Sequence, residues 1–343
     1  MKTEILTAMD ETGAEAICRA GEILKNGGLV AIPTETVYGL AANALNEEAV
    51  KNIYVAKGRP SDNPLIVHIS KTSELDFLAK EVSPTAKKCM SAFWPGPFTA
   101  VVKKSENVPS TVSGGLDTVA VRMPENIVAR KIIESAGVPL AAPSANLSGA
   151  PSPTTAEHCI NDLTGRVDAI VVSTDCTVGL ESTVVTFAEN PPRLLRPGKI
   201  TAEELKRLIP DLVVDKAVLV EPKEKEKVAS PGMKYKHYSP KAEVVMVEGD
   251  SDSFARYLKE NEKDFDLAVI FDEDSNKVGE VKTLCLGGEK DFSAQAENLF
   301  KILREIDELG AKKALVHAPE KTGVGLAVYN RLIRAAGFKV VKL

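Results

Sequence analysis

The chain has 343 residues, of which 44% are hydrophobic and 27% charged, and its formal net charge is −5. These values are typical of a globular protein with two domains, and the negative charge argues against a surface built mainly to bind nucleic acid. No run approaches the ~18 uninterrupted apolar residues of a membrane span, and the N-terminus lacks the apolar core of a signal peptide, so we expect a cytoplasmic protein without membrane contact. Five scattered cysteines without a C-x-x-C pair predict buried thiols, not disulfides or a zinc site.

The first part of the chain alternates short apolar runs with amphipathic segments. Strands are predicted at 28–33, 65–69, 98–103, 118–123, 139–142, 169–173, 182–187 and 193–196, and helices at 14–26, 47–57, 83–93, 127–136 and 155–163. Several strands follow one another with no helix between them. This favours an α/β fold with a twisted mixed sheet and flanking helices over residues 1–210.

A linker is predicted at 211–241, where the composition changes. Its mixed-charge run at 221–227 is typical of a solvated tether. Met233, Tyr235 and Tyr238 then follow among basic residues, and flexible tethers seldom carry aromatic residues so densely. Two interpretations stay open: a lid that closes over a ligand, or aromatic packing at a domain interface.

The last part, 242–343, has a cleaner β/α alternation. Strands are predicted at 243–247, 266–271 and 313–317, and helices at 254–261, 294–309 and 327–336. This pattern predicts a small Rossmann-like α/β domain. The Gly323-Val-Gly325 segment lacks the third glycine of a dinucleotide fingerprint, and the chain has no P-loop, no G-x-S-x-G and no metal-ligand spacing.

Polar loops stand repeatedly at the ends of the predicted strands in the first domain. Open sheets place their ligand crevices at strand ends, and four cations occur there: Lys57, Arg59, Arg122 and Arg196. Thr118 lies four residues before Arg122 on one strand, so their side chains share a face. Cations with short hydroxyl side chains suit a polyanionic ligand. Taken alone, an arginine at a strand end is usually solvated or salt-bridged, and a threonine at a strand start is most often a cap or a sheet former. His68 alone is more typical of an interior or edge histidine than of a ligand contact. The clustering of several such loops is what favours a binding site.

Seven segments, in order, resemble the YrdC-like family of threonylcarbamoyl-AMP synthases. They are PTETVYGL at 33–40, KGRPSDNPLIVHI at 57–69, WPGPFT at 94–99, TVAVRMP at 118–124, PSANLSGAPSPTT at 143–155, ESTVV at 181–185 and LLRPG at 194–198. The phrase SPGMKYKHYSPKA at 230–242 resembles the longer, two-domain branch of that family. The small C-terminal domain carries no strong motif of its own.

The resemblance implies a reaction in which L-threonine, bicarbonate or CO₂, and ATP give L-threonylcarbamoyl-AMP and pyrophosphate. This is the first step of N6-threonylcarbamoyladenosine formation at position 37 of tRNA. It implies that a separate enzyme or complex transfers the product to tRNA, and it leaves room for a weak tRNA contact by this chain.

The resemblance also implies roles for residues. Threonine is expected at Thr36, His68, Arg122, Ala142 and Ser182, and ATP at Arg59, Asn63, Thr118, Ser144, Ser152, Arg196 and Tyr235. Lys57 and Arg59 are the expected catalytic residues, because they would neutralise charge on the phosphates. We expect Mg²⁺ to be carried by the phosphates and no protein metal site. Glu35 and Glu181 are the acids within the motifs, either as metal ligands or as local hydrogen-bond acceptors, and no general base is identified.

Two other functions compete with this one. YrdC-like domains also occur in proteins that handle carbamoyl-adenylate, but the zinc-finger, acylphosphatase-like or kinase-like segments that accompany them there are not visible in this sequence. A nucleic-acid-binding module would use the same cations, but the net charge of −5 and the lack of stacking aromatics around the motifs argue against it.

Overall fold

The computed structural model describes residues 2–221 and 237–343, which form two compact units. The first unit consists of 2–148, 152–177 and 181–221, and the second of 149–151, 178–180 and 237–343. The domain boundaries expected from the sequence (1–210, 211–241 and 242–343) stay a prediction. Tyr235, expected at the nucleotide, lies outside the described residues.

The first unit is a large sheet flanked by helices. Its strands are β1 Glu4–Thr7, β2 Val30–Ile32, β3 Gly39–Asn43, β4 Ile66–His68, β5 Ala79–Glu81, β6 Phe98–Lys104, β7 Thr118–Arg122, β8 Leu140–Ala141, β9 Ala169–Val172, β10 Thr183–Thr186, β11 Arg193–Arg196 and β12 Val213–Val214. Its helices are α1 Ala14–Lys25, α2 Glu47–Lys57, α3 Leu75–Leu78, α4 Pro84–Phe93, α5 Ser110–Ser113, α6 Ile127–Ala136, α7 Ala156–Leu163 and α8 Ala202–Leu208.

The strand order is β1-β9-β2-β3-β8-β4-β7-β6-β10-β11-β12, and β5 pairs with β6. Strand β2 runs parallel to β9 and antiparallel to β3, while β6 runs parallel to β10 and antiparallel to β7. The mixed sheet predicted from consecutive strands is therefore confirmed. Among residues 2–221 and 237–343, no helix combines the length and hydrophobicity that crossing a membrane requires.

One row of residues crosses five neighbouring strands and carries most of the polar chemistry. Across β4, β7, β6, β10 and β11, the pairing register aligns His68 with Arg122, Arg122 with Thr99, Thr99 with Val184, and Val184 with Arg196. Directly paired residues project to the same face of a sheet. The row therefore places residues that are far apart in sequence on one face, at one end of these strands.

Apolar side chains lie next to this row on the same face. Alternation along each strand puts Ile66, Val101 and Ala120 on the face of this row. Together with Val184 of the row and with Leu195, they form a small buried cluster. On the β9–β2–β3–β8 part of the sheet a second cluster includes residues of α1 and α6, such as Leu24 and Ile132. The largest cluster includes residues of α2, α4 and α7 together with the alternate residues of β4, β6 and β7.

The second unit is a five-stranded parallel sheet with helices. Its strands are β13 Glu243–Glu248, β14 Leu267–Ile270, β15 Thr283–Cys285, β16 Lys313–His317 and β17 Val340–Lys342, in the order β15-β14-β16-β13-β17. Its helices are α9 Ser251–Glu260, α10 Phe292–Glu308 and α11 Gly325–Ala335. All its strand pairs are parallel, which confirms the Rossmann-like α/β prediction.

Candidate active site

Arg122, the last residue of β7, is the best-defined cation of the row. Its side chain is 4% exposed, and its Nη2 lies 2.6 Å from Oε1 of Glu35. Nη1 donates to Thr36 Oγ1 at 2.8 Å and Nε donates to the Gly96 carbonyl at 3.3 Å. A guanidinium has five N–H donors. These three contacts therefore leave one donor on each η nitrogen, which is enough for the two oxygens of a carboxylate.

The loop between β2 and β3 presents Thr36 to Arg122 through a directed set of hydrogen bonds. Thr34 Oγ1 donates to the Val37 carbonyl at 2.6 Å, so it accepts from Thr36 Oγ1, which lies 2.8 Å away. Thr36 Oγ1 in turn accepts from Arg122. Because a hydroxyl oxygen has two lone pairs, Thr36 can still accept one donor from a ligand.

The ionisation states of the buried neighbours follow from their surroundings. Burial alone would raise the pKa of the Glu35 carboxyl, but the charge and hydrogen bond of Arg122 more than offset it and hold the pKa below its ordinary value. Burial, with a smaller contribution from Arg122, lowers the pKa of His68 to about 3. His68 Nδ1 lies 3.3 Å from the Ile66 carbonyl. His68 is therefore a neutral imidazole at physiological pH, able to accept or donate a hydrogen bond but carrying no charge.

Lys57 lies in the last turn of α2, before the loop that the motif KGRPSDNP forms. Its ammonium donates to the backbone carbonyls of Ser144 and Asn146, and the lysine side chain is 3% exposed. Ser144 Oγ donates to Asn146 Oδ1 at 2.5 Å. The buried charge therefore holds the Pro143–Asn146 loop in place, while direct contact of Lys57 with phosphates stays a prediction.

Arg59 and Asn63 flank the turn that follows α2. Arg59 Nη2 donates to the Pro64 carbonyl at 3.2 Å. Asn63 is 4% exposed, and its amide nitrogen has no hydrogen-bond partner among the described residues. Buried amide donors are nearly always satisfied in folded proteins. The orphaned Asn63 donor is therefore suited to an acceptor that is supplied by a ligand.

Arg196 and Ser182 meet at the other end of the row. Arg196 Nε donates to the Ser182 carbonyl at 3.0 Å, and Nη2 donates to Ser182 Oγ at 3.2 Å. Ser182 Oγ also lies 2.7 Å from Thr99 Oγ1. Ser152, fully buried, donates to Glu181 Oε1 at 2.6 Å. Glu181 thus acts as a local hydrogen-bond acceptor for a residue expected near ATP.

Of the remaining predicted residues, Ala142 bonds to β4, whereas Thr118 begins β7 and lies four residues from Arg122, at the other end of that strand. Thr118 is half-buried on β7 and shares its face with Arg122, and the Ala142 backbone N–H donates to the Ile66 carbonyl at 2.9 Å. A bridge between Gly39 and Ser144 ties the Thr36 loop to the Ser144 loop. Thr34 and Thr99 were not predicted. Both lie within the seven motif segments, Thr34 in PTETVYGL and Thr99 at the end of WPGPFT.

Buried charge in the first unit is unbalanced towards positive. Among the buried charged side chains of residues 2–221, four are cations and two are carboxylates: Lys57, Arg59, Arg122 and Arg196 against Glu35 and Glu181. Burying a charge is costly unless an opposite charge or hydrogen bonds compensate it. The first unit therefore buries more cations than carboxylates, a balance that suits an anionic ligand. No cluster of three metal-ligating side chains occurs in the part of the chain that the structure describes.

Comparison with known proteins identifies the family to which this chain is similar. A Sua5/YciO/YrdC family model, described as Telomere recombination, matches residues 22–198, and a second one, Threonylcarbamoyl-AMP synthase, C-terminal domain, matches 200–337. A relative from Pyrococcus abyssi, named threonylcarbamoyl-AMP synthase, is 46% identical over 330 residues and covers 94% of this chain and 95% of its own. A Bacillus subtilis relative of the same name is 42% identical over 334 residues, with 96% of both chains covered.

A solved structure gives the same result. The crystal structure of P. abyssi Sua5 complexed with L-threonine matches with a TM-score of 0.92 and 43% identity, covering 100% of both chains. The resemblance inferred from the seven motifs is thereby confirmed. The chain belongs to the YrdC-like family of threonylcarbamoyl-AMP synthases, in its long, two-domain form.

Proposed function

We propose that this chain is an enzyme that converts L-threonine, bicarbonate or CO₂, and ATP to L-threonylcarbamoyl-AMP and pyrophosphate, a nucleotidyl transfer. In this proposal it performs the first step of N6-threonylcarbamoyladenosine formation at position 37 of tRNA, in the cytoplasm. The names of the P. abyssi and B. subtilis relatives and the threonine bound to P. abyssi Sua5 support it.

The observation that carries the proposal is the environment of Arg122. A buried guanidinium with one N–H donor left on each η nitrogen matches the two oxygens of an amino-acid carboxylate. Thr36 Oγ1 beside it can accept a hydrogen bond from the amine or hydroxyl of the substrate. His68, neutral and next to Arg122 in the sheet, offers a further hydrogen bond without repelling a positively charged amine.

In this proposal, residues of the strands and loops around Arg122 bind the nucleotide. Arg59 and Arg196 would bind phosphate oxygens, the orphaned amide of Asn63 would donate to an acceptor on the nucleotide, and Ser144, Ser152 and Thr118 would complete the site. Mg²⁺ would be carried by the phosphates and water, since Glu35 and Glu181 are already engaged with Arg122 and Ser152.

The chemistry then requires two bond-forming steps. The threonine amine adds to CO₂ and loses a proton, which gives a carbamate. A carbamate oxygen attacks the α-phosphorus of ATP, and the bond from that phosphorus to the bridging oxygen of pyrophosphate breaks. Both reactants are anions, so the buried cations would reduce their repulsion and stabilise charge on the leaving pyrophosphate. Lys57 would contribute by fixing the loop that carries Ser144.

The proposed products also define the expected partners. The anhydride product would be handed to a separate enzyme or complex that transfers the threonylcarbamoyl group to tRNA. A weak contact of this chain with tRNA is compatible with that transfer. We propose residues 1–210 as the catalytic domain, 211–241 as the linker and 242–343 as the small C-terminal domain.

Mass spectrometry of the reaction products tests the proposal. The full chain is incubated with ATP, ¹³C-bicarbonate and L-threonine, with reactions lacking threonine and reactions of the Arg122→Ala variant as controls. We expect a ¹³C-labelled threonylcarbamoyl-adenylate and pyrophosphate only when all three substrates are present. Pyrophosphate release that does not depend on threonine, or a carbamoyl-adenylate product, would contradict the proposal.

A further inference from the structure

We propose that Glu35 is a positioning residue that orients Arg122 for the substrate carboxylate. This inference rests on the proposed function and deepens it, because it names a second residue that determines threonine binding without touching threonine. Neither the nucleotide phosphates nor a metal ion is needed for the role. The inference replaces both sequence interpretations of Glu35, as a metal ligand or as a merely local acceptor.

Glu35 and Arg122 form a buried ion pair that restrains the guanidinium. Glu35 Oε1 lies 2.6 Å from Arg122 Nη2, and the two side chains are 5% and 4% exposed. Thr36, the next residue, engages Nη1, and Gly96 engages Nε. Three nitrogens of one planar group are therefore each held by a different residue. Contacts at all three nitrogens restrain the rotation of the guanidinium, so its remaining donors point in defined directions.

Glu35 is itself anchored. Its other oxygen, Oε2, lies 3.5 Å from the backbone N–H of Asn126, the residue that caps α6. Glu35 therefore connects the β2–β3 loop, the end of β7 and the start of α6. A carboxylate held from two sides transmits the position of these backbones to Arg122.

Glu35 also compensates the buried charge of Arg122. Arg122 is buried before any ligand arrives, and a buried charge without a counter-charge is costly. Glu35 supplies the counter-charge while occupying only part of the guanidinium fork. A second carboxylate can then bind to the remaining donors without displacing Glu35. Because Arg122 keeps the pKa of Glu35 below its ordinary value, Glu35 is a poor proton acceptor at neutral pH, which argues against a role as general base.

Calorimetric titration of the full chain with L-threonine tests the inference without relying on turnover. Glu35→Gln keeps an oxygen that can accept from Arg122, whereas Glu35→Ala removes it and Glu35→Asp shortens the reach. We expect the Kd for threonine to rise about 10- to 100-fold in the Ala variant, in line with loss of a charge-assisted hydrogen bond. The Gln variant should stay within about 3-fold of wild type, and the Asp variant should fall between the two. Glu189→Ala, at an exposed ion pair, is the matched control and should leave Kd unchanged.

Steady-state kinetics separates positioning from catalysis. In the Ala variant, kcat at saturating threonine should be retained, with the loss confined to the KM for threonine and absent from the KM for ATP. Equal threonine affinity in wild type and all three variants would overturn the inference, as would a kcat abolished in both Ala and Gln variants at unchanged KM. If the Ala variant does not fold, tighter binding by Asp than by Gln overturns it. Failure of the wild type itself to bind threonine would instead refute the proposed function.

Discussion

Replacing Arg122 with alanine should destabilise the first unit strongly, in a way that depends on pH. The substitution removes two hydrogen bonds and one ion pair, and it leaves the Glu35 carboxylate, which is 5% exposed, without its cation. Breaking a buried ion pair by removing one partner costs about 3–5 kcal/mol, because the remaining charge stays buried. We expect a loss of unfolding free energy of that size at pH 7.

The sign of the pH dependence follows from Glu35. In the wild type its lowered pKa contributes stability that is present at neutral pH and is lost as pH falls through the folded-state value. In the variant, only backbone N–H contacts oppose the effect of burial, and we expect the pKa of Glu35 to rise above its ordinary value of about 4.3. Glu35 then takes up a proton on folding in mildly acidic solution. The penalty of the variant should therefore shrink between pH 7 and pH 5.

Urea unfolding monitored by tryptophan fluorescence measures this effect in the relevant unit. The chain has one tryptophan, Trp94, which is 8% exposed and donates from Nε1 to the Phe98 carbonyl within the first unit. The control is Arg193→Ala, because Arg193 is 35% exposed in its ion pairs and should cost less than about 1 kcal/mol. A second substitution, Glu35→Gln, should restore part of the stability of Arg122→Ala. Equal penalties at pH 7 and pH 5, or no rescue by Glu35→Gln, would refute this reasoning.

Three further predictions follow from the same contacts. The pKa of His68 is about 3 in the folded state against an ordinary value of about 6.5, so NMR should show no imidazole titration between pH 5 and 8. The unfolding free energy that His68 contributes should be fully retained above about pH 6.5 and should fall towards pH 3, because only the unfolded state takes up a proton on His68 in this range. His68→Gln should remove this dependence of the unfolding free energy on pH. Lys57→Met should raise the KM for ATP at least about 10-fold while leaving the calorimetric Kd for threonine within about 3-fold of wild type. The reason is that the ammonium fixes the Ser144 loop and not the pocket around Arg122. Equal losses for both ligands would contradict this separation. Cys18 and Cys285 are exposed, so the prediction of buried thiols is wrong for these two cysteines. In native protein, a thiol reagent should modify them first, with Cys89, Cys159 and Cys176 reacting only after denaturation; early labelling of Cys176, whose pKa burial raises, would contradict the packing described.

Much of the sheet could be predicted from local pattern, and the exceptions have physical causes. The run 118–123 is rich in apolar and β-branched residues and becomes β7, and the leucine pair within 193–196 lies in β11. Strand β3, Gly39–Asn43, was not predicted, because glycine, alanine and asparagine are poor strand formers. It forms because β2 and β8 lie on either side of it and supply hydrogen-bond partners. Pairing of this kind is a tertiary effect that no local window contains.

In the candidate site, too, some features follow from local sequence and others depend on tertiary structure. Alternation along one strand was enough to place Thr118 and Arg122 on a common face. The alignment of His68, Arg122 and Arg196 in one row depends on the order β4-β7-β6-β10-β11, which follows from long-range pairing and not from spacing. The contacts of Lys57 could not be predicted from the sequence. Its charge suggested a phosphate contact, but the carbonyls that it binds lie 87 and 89 residues further along the chain.

The most direct test of the account is a reciprocal binding experiment on two arginines. Calorimetry measures the affinities of Arg122→Ala and Arg59→Ala for L-threonine and for a non-hydrolysable ATP analogue. We predict that Arg122→Ala loses threonine affinity by at least about 10-fold and keeps the nucleotide, while Arg59→Ala does the reverse. Equal losses of both ligands in both variants would contradict the assignment of the carboxylate to Arg122 and the phosphates to Arg59.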